Sequence, residues 1–172
     1  MIYFAQNTNG GPIRIGCSTN VGLRQSSLGS WVCGGVEIIS TIDGDFYRER
    51  ILLELFKPLN VDRDWFRSDA TMWKFLLEGP IGGNLDWLPL TQSEDRSEMR
   101  SRIIRLFGTL ENAIQPLGYS VMFSLQTAIN AGNASSYQLA AKVKLAEMFR
   151  DMSIPSYLRA LHEVPSPEEV AA

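Results

Sequence analysis

Apolar residues alternate with other residues in two short runs at the start of the chain. Ile2 and Phe4 belong to the first run, and Ile13 and Ile15 belong to the second. Alternation with a period of two is typical of a β-strand. The intervening residues 9–12, Asn-Gly-Gly-Pro, favour a tight reversal. The pattern therefore predicts a β-hairpin at this end of the chain.

A short helix and a third strand are predicted next. Ser18-Thr19-Asn20 supplies candidate N-caps for a helix over residues 21–28, which Gly29 would end. Residues 36–42 are rich in β-branched side chains and are bounded by glycine and aspartate, which is typical of a strand with turns at both ends. Together with the hairpin, this strand gives a sheet of three strands.

Two more helices follow, each with an aspartate at its start. Asp45 can cap a helix over residues 46–57, which must stop before Pro58 because proline cannot continue it. Asp69 can cap a second helix that carries Met72, Trp73, Phe75 and Leu76. Between them, residues 64–66 form a short extended segment. Residues 1–78 are thus predicted to form a compact α+β domain, a small three-stranded antiparallel sheet flanked by helices.

The rest of the chain has the periodicity of helices. Glycine and proline mark residues 79–92 as a linker, and Thr91 with Glu94 indicates a capping box. Residues 93–163 are then predicted to form a helical subdomain, and the acidic, proline-containing residues 164–172 a flexible tail. The subdomain is expected to contain three helices. The first follows the capping box and carries an apolar stripe of Met99, Ile103, Phe107 and Leu110, and the other two cover residues 121–131 and 137–152.

Composition excludes several classes of protein but does not identify a function. The 172 residues are 45% hydrophobic and 20% charged, which excludes collagen-like and wholly disordered chains. No apolar segment approaches the ~20 residues of a membrane span, so we expect a cytosolic protein without a membrane partner. Two cysteines exclude a disulfide framework, and a single histidine makes a histidine-dependent triad improbable. The formal charge of −3 gives no global sign of nucleic-acid binding.

Five short motifs in the first domain stand in a recognisable order. They are Ile2-Tyr3, then Ile13-Arg14-Ile15-Gly16, then Arg24, Glu49 and finally Asp64-Trp65-Phe66. In this order and spacing they resemble the GIY-YIG nuclease superfamily, in the phage and bacterial branch whose second motif usually reads Lys-Ile-Gly. The resemblance covers about residues 1–78. It implies hydrolysis of DNA phosphodiester bonds and a small antiparallel sheet flanked by helices.

The resemblance assigns a role to four residues. Tyr3 matches the tyrosine of the first motif and is the candidate general base. Arg14 is a candidate either to bind phosphate or to lower the proton affinity of Tyr3. Arg24 matches an arginine whose planar guanidinium can hold two phosphate oxygens. Glu49 matches the glutamate that binds one divalent metal ion, Mg²⁺ or Mn²⁺, and a hard cation that keeps several waters can be held by one carboxylate. Gly16 would allow close approach of the backbone.

The sequence departs from the family pattern at several positions. The second motif has Arg14 in place of a tyrosine, so the general-base assignment rests on Tyr3 alone. Leu53 stands where many members of this branch have a histidine, and Asp64 where they have a glutamate. Arg63 replaces the usual glycine, and Asn60 is the counterpart considered for a polar residue near the site in relatives.

Two functions therefore remain open. The first is a divalent-metal-dependent DNA endonuclease, and the alternative is a catalytically impaired GIY-YIG-like module that binds nucleic acid or regulates. Convergence of Tyr3, Arg24 and Glu49 would favour the enzyme, and a buried Tyr3 the alternative. Residues 1–78 carry eight basic against nine acidic side chains, so DNA affinity would depend on clustering of Arg14, Arg24, Arg48 and Arg67.

The helical half leaves a similar choice. Its basic side chains suit either a phosphate-contacting face or a solvated amphipathic helix, because acidic residues are interleaved among them. Its apolar stripes also allow a homo-oligomer to form through this region. The basic residues are Arg96, Arg100, Arg102, Arg105, Lys142 and Lys144, and the acidic ones Glu94, Asp95, Glu98 and Glu111.

Overall fold

The chain folds into two compact units, Met1–Thr91 and Gln92–Ala172. The computed structural model describes residues 1–90, 96–110, 118–132 and 135–163. In these ranges the first unit combines a sheet with helices, and the second unit contains helices. The predicted α+β fold class with a helical C-terminal part is confirmed.

The sheet of the first unit has five antiparallel strands instead of the predicted three. Its order is β3-β1-β2-β5-β4, so the three predicted strands are adjacent and two short strands extend the sheet beside β2. The strands are β1 (Ile2–Asn7), β2 (Ile13–Cys17), β3 (Val36–Ile42), β4 (Asn60–Asp62) and β5 (Trp65–Phe66).

Strand β1 is covered on both faces, so Tyr3 and Ala5 are buried as well as the alternating Ile2 and Phe4. Residues 2–5 are all 1% exposed or less. On one face Tyr3 and Ala5 pack with Leu28, and on the other Phe4 contacts Phe75 with ring centroids 5.8 Å apart. Because both faces are covered, a polar atom on a β1 side chain can find a partner only among the residues that pack against the strand.

Each helix of the first unit begins at a capping residue anticipated from the sequence. The side chains of Asn20, Asp45 and Asp69 accept hydrogen bonds from backbone N–H groups of the first turn. The second helix ends two residues earlier than predicted, because a 3₁₀ turn, Lys57–Leu59, accommodates Pro58. These helices are α1 (Val21–Gly29), α2 (Phe46–Leu55) and α3 (Ala70–Leu76).

Residues 79–90 pack on the first unit, so this unit extends past residue 78 to Thr91. The Trp87 ring meets the edge of Phe75 at 6.4 Å between centroids, and Leu88 is buried. The π-helical turn Leu77–Ile81 leads from α3 into this segment.

Helices of the second unit pack around α6, which contacts both α4 and α5. Ser135 and Gln138 form a capping box at the start of α6, whereas the capping box expected at Thr91 and Glu94 and the expected tail 164–172 lie outside the described residues. No helix in the described ranges has the length and apolar character of a membrane span. The helices are α4 (Arg96–Leu110), α5 (Tyr119–Ala131), α6 (Ser136–Arg150) and α7 (Ser156–Arg159), with a 3₁₀ turn at Ala160–His162.

Candidate functional site

Tyr3 and Gly16 are directly paired across β1 and β2. The Tyr3 ring lies against the Gly16 backbone, so that a Cβ atom at position 16 would be 2.4 Å from the Tyr3 hydroxyl and 2.5 Å from ring atom Cζ. Real Cβ atoms do not approach other atoms so closely, and the buried ring has no open space in which to move. Glycine at position 16 is therefore what allows Tyr3 to lie across β2.

Arg24 reaches from α1 to the end of the Tyr3 side chain. Its Nε donates a hydrogen bond of 3.1 Å to the Tyr3 hydroxyl. This bond is the main reason that the pKa of Arg24 is raised above its ordinary value, followed by the electrostatic effect of Tyr3, while the charges of Asp64 and Glu49 act in the same direction. Because the bond uses Nε, the terminal Nη groups are not required for it.

Glu49 is a buried carboxylate in the first turn of α2, with 7% of its surface exposed. Burial is the largest cause that raises its pKa, and the charge of Arg50 and the backbone N–H of Cys17 act in the opposite direction. Among the described residues, no basic side chain lies within ion-pair distance of this carboxylate. A carboxylate held in this way lacks most of the solvation that would stabilise its charge.

Arg14 on β2 contacts Asp64 and Trp65, which lie at the start of the neighbouring strand β5. Its Nη2 contacts Asp64 Oδ2 at 3.0 Å, and its guanidinium lies 5.8 Å from the centre of the Trp65 ring. The Arg14 side chain is 15% exposed, and its Nε has no hydrogen-bond partner in the described part of the chain. Asp64 thus fixes Arg14 beside the sheet.

The four residues selected from the sequence lie in one region. Tyr3 and Arg24 are in direct contact, and the charges of both Asp64 and Arg14 influence the pKa of Glu49. The Arg14–Asp64 pair and the Cys17 N–H were not identified from the sequence. The register that pairs β2 with β5 brings Asp64 to Arg14 from a point fifty residues later in the chain.

Burial corrects the expectation for Arg48, and the hydrogen bonds of Asn60 are those of a turn. Arg48, counted among the residues that could cluster at DNA, is 4% exposed, and its Nη1 donates to the carbonyl of Asp43 at 2.6 Å. Burial accordingly lowers the pKa of Arg48. Asn60 donates from Nδ2 to the carbonyls of Arg63 at 2.7 Å and of Trp65, so it stabilises the β4–β5 turn.

The side chains fit a hard divalent cation held mainly by water. The described residues contain no group of three or more His, Cys, Asp or Glu side chains placed to share an ion, so a site saturated by protein ligands is absent from them. Mg²⁺ keeps several waters and takes one or two carboxylates. Glu49, with its desolvated carboxylate, is the candidate for one such oxygen ligand, and the Asp64 carboxylate acts on it electrostatically.

The Cys17 thiol does not add a soft ligand to this set. Burial raises its pKa, the ammonium group of Met1 acts in the opposite direction, and the carboxylates of Glu49 and Asp45 raise it again, so the protonated form is favoured. Comparison of the chain with protein-family models, curated proteins and solved structures finds no match.

Proposed function

We propose that the first unit is a divalent-metal-dependent endonuclease that hydrolyses DNA phosphodiester bonds. The observation that carries the proposal is the contact of Arg24 with Tyr3 above Gly16, in the same region as the buried Glu49 carboxylate. A cation for a phosphate, a hydroxyl for a proton and a carboxylate for a metal ion are the three groups that such hydrolysis requires. The motif resemblance to GIY-YIG nucleases supports the same assignment.

Arg24 is the proposed phosphate-binding residue. The Tyr3 hydroxyl orients its guanidinium through Nε, and the planar donor fork can address two non-bridging oxygens of a phosphate. Its pKa is raised above the ordinary value, so the guanidinium is positively charged near neutral pH. The negative charge that develops on the phosphorus oxygens during attack is then met by a cation that is already in place.

Glu49 is the proposed metal ligand. A bound Mg²⁺ or Mn²⁺ would supply Lewis acidity to the phosphate and help to stabilise the leaving oxygen. The chain contributes a carboxylate positioned by Asp45, which caps α2, and by the backbone N–H of Cys17 at the end of β2. Two secondary-structure elements therefore fix this one ligand.

Tyr3 is the proposed proton acceptor. A water oxygen attacks phosphorus while its proton passes to the Tyr3 oxygen, which has to be in the phenolate form to accept it and becomes the neutral hydroxyl. The bond from phosphorus to the leaving deoxyribose oxygen breaks in the same step. The leaving oxygen takes a proton from solvent, so the products are a phosphomonoester and a free hydroxyl. Arg14, whose Nε has no partner among the described residues, lies on the same face of the sheet, where Asp64 pairs with its guanidinium.

A plasmid assay tests the proposal directly. Supercoiled DNA is incubated at low salt with the full chain and either Mg²⁺, Mn²⁺ or EDTA, and nicked product is measured with time. We expect nicking with the metals and none with EDTA. Glu37→Gln, which removes an exposed carboxylate of β3, is the matched control for Glu49→Gln and should nick at the wild-type rate.

The second candidate is a module that binds nucleic acid without cutting it. It is favoured by one observation, the burial of Tyr3 at 1% exposure with its hydroxyl bonded to Arg24, which limits access of water to that oxygen. For this function we expect DNA binding with either metal and no product in the same assay.

A further inference from the structure

A cavity of about 270 Å³ in the second unit is lined by charged residues of two packed helices. Arg102 and Arg105 come from α4, and Lys144, Glu147 and Arg150 come from α6. The spacing of three residues places each set on one face of its helix. Four cations and one carboxylate thus surround a single space.

This concentration of positive charge is local. Residues 92–172 carry eight Lys and Arg against nine Asp and Glu, yet four of those eight cations line the cavity. The interleaved Glu98 is exposed and does not belong to the lining, so Glu147 is the one carboxylate among the described lining residues. Of the acidic residues that favoured a solvated helix in the sequence, Glu98 lies in the described ranges and is not part of the lining, whereas Glu94, Asp95 and Glu111 lie outside them.

One ion pair holds the cavity wall in place. Arg102 donates from Nε to Glu147 Oε1 at 2.7 Å, and its Nη2 bonds to the other carboxylate oxygen. The two side chains are only 15% and 14% exposed, so the pair joins α4 to α6 in a fixed geometry. Arg150 is oriented by Asp151, which also raises its pKa, whereas the charge of Arg102 acts to lower it.

We propose that this cavity binds consecutive phosphates of the DNA backbone and so supplies affinity that the first unit lacks. The lining has no aromatic or apolar side chain on which a base or a lipid chain could pack. Lys144 and Arg150 are six residues apart, which is about 9 Å along α6. The phosphates of one DNA strand repeat every 3.4 Å along the axis of the duplex. A row of this length therefore spans two or three phosphates.

The inference rests on the proposed DNA substrate but not on cleavage. The first unit has nearly balanced charge over residues 1–78, and Arg48 is buried there. Since neutralisation of phosphates supplies most non-specific affinity, a nuclease built on that unit alone would bind DNA weakly. The cavity adds positive charge in the same chain, since four cations line it against the carboxylates of Glu147 and the adjacent Asp151.

Binding without cleavage tests the inference. The full chain is titrated against a fluorescent 30-base-pair duplex in EDTA, and affinity is measured from low to moderate salt. Arg105→Ala/Lys144→Ala removes two lining cations and leaves the Arg102–Glu147 pair intact. Lys57→Ala/Lys74→Ala removes two exposed cations of the first unit and is the charge-matched control.

We expect the lining variant to bind on the order of tenfold more weakly at low salt, with a salt slope reduced by about 0.9 for each lost phosphate contact. The control should retain wild-type binding. Equal binding by the lining variant and wild type would overturn the inference, as would binding of pyrophosphate, measured as a rise in thermal stability, without binding of the duplex. Weaker binding by a protein that never nicks plasmid would support the cavity and contradict only the nuclease proposal.

Discussion

The ring of Tyr3 lies across Gly16, with the site of an absent Cβ atom 2.4 Å from the tyrosine hydroxyl. This contact joins the first two motifs of the chain, because Tyr3 is on β1 and Gly16 is its partner on β2. It also delivers the hydroxyl to Arg24 on α1. A glycine with no side chain thus positions the polar end of a buried aromatic residue.

The first prediction concerns that glycine. Gly16→Ala should lower the free energy of unfolding by about 1–3 kcal/mol, because the added methyl group overlaps both the Tyr3 hydroxyl and Cζ. Tyr3→Phe in the same chain should not rescue it, since Cζ remains at 2.5 Å. Urea unfolding followed by circular dichroism gives both values. Gly29→Ala is the control, as a Cβ there meets nothing within 4 Å, and a similar loss in that variant would contradict the explanation.

The second prediction separates the two roles of Tyr3. Tyr3→Phe removes the acceptor for Arg24 Nε and should cost about 1–2 kcal/mol of stability. If Tyr3 accepts the proton in hydrolysis, kcat falls on the order of a hundredfold. Arg24→Lys keeps the charge and loses the planar fork, so it should mainly raise KM. Steady-state cleavage of a labelled duplex distinguishes these outcomes, and an unchanged kcat for Tyr3→Phe would remove Tyr3 as the proton acceptor.

The third prediction follows from the burial of Glu49, which raises its pKa in the folded protein. Between the pKa of the unfolded chain and the higher folded pKa, the folded state holds the extra proton, so stability falls as pH rises through that range. Glu49→Gln should remove this fall and be the more stable protein near pH 7. Thermal unfolding from pH 4 to pH 8 measures the difference.

Divalent metal should make wild type more stable than Glu49→Gln, the reverse of the order expected without metal. Binding to the folded state raises its unfolding temperature by mass action, so Mg²⁺ or Mn²⁺ is expected to stabilise wild type near pH 7 and to leave Glu49→Gln unchanged. Equal metal stabilisation of both proteins would exclude Glu49 as the ligand.

The fourth prediction concerns the turn between β4 and β5. Arg63 adopts a left-handed backbone with φ of 48°, a conformation that favours glycine. Arg63→Gly should therefore stabilise the protein by about 0.5–1 kcal/mol, whereas Arg63→Ala keeps the Cβ penalty and should give no gain. Chemical denaturation of both variants checks the difference, and an equal response of the two would refute the backbone explanation.

Local signals account for what the sequence could predict. The caps at Asn20, Asp45 and Asp69 act within one helical turn, so they are visible in the chain itself. Strand β4 was missed because its three exposed residues, 60–62, are too few to show a pattern, and it exists only by pairing with β5. The Arg14–Asp64 contact was missed because its partners are fifty residues apart.

The burial of charged side chains is the other property that could not be predicted from the sequence. Glu49 and Arg48 are adjacent and both charged, and both are almost excluded from solvent. The sequence suggested a metal ligand at one and a DNA-contacting surface at the other. The fold places Arg48 against the carbonyl of Asp43 and Glu49 near the end of β2, so only Glu49 keeps its proposed role.

Single-turnover cleavage of an end-labelled duplex by wild type and Glu49→Gln, with Mn²⁺ at low salt, tests the central claim most directly. Both proteins are first shown to be folded by thermal unfolding, so that loss of activity reports chemistry. We predict cleavage by wild type and a rate lower on the order of a hundredfold or more in Glu49→Gln, with Glu37→Gln unchanged. Equal rates for wild type and Glu49→Gln, or no cleavage by a folded wild type that binds the duplex, would contradict the claim.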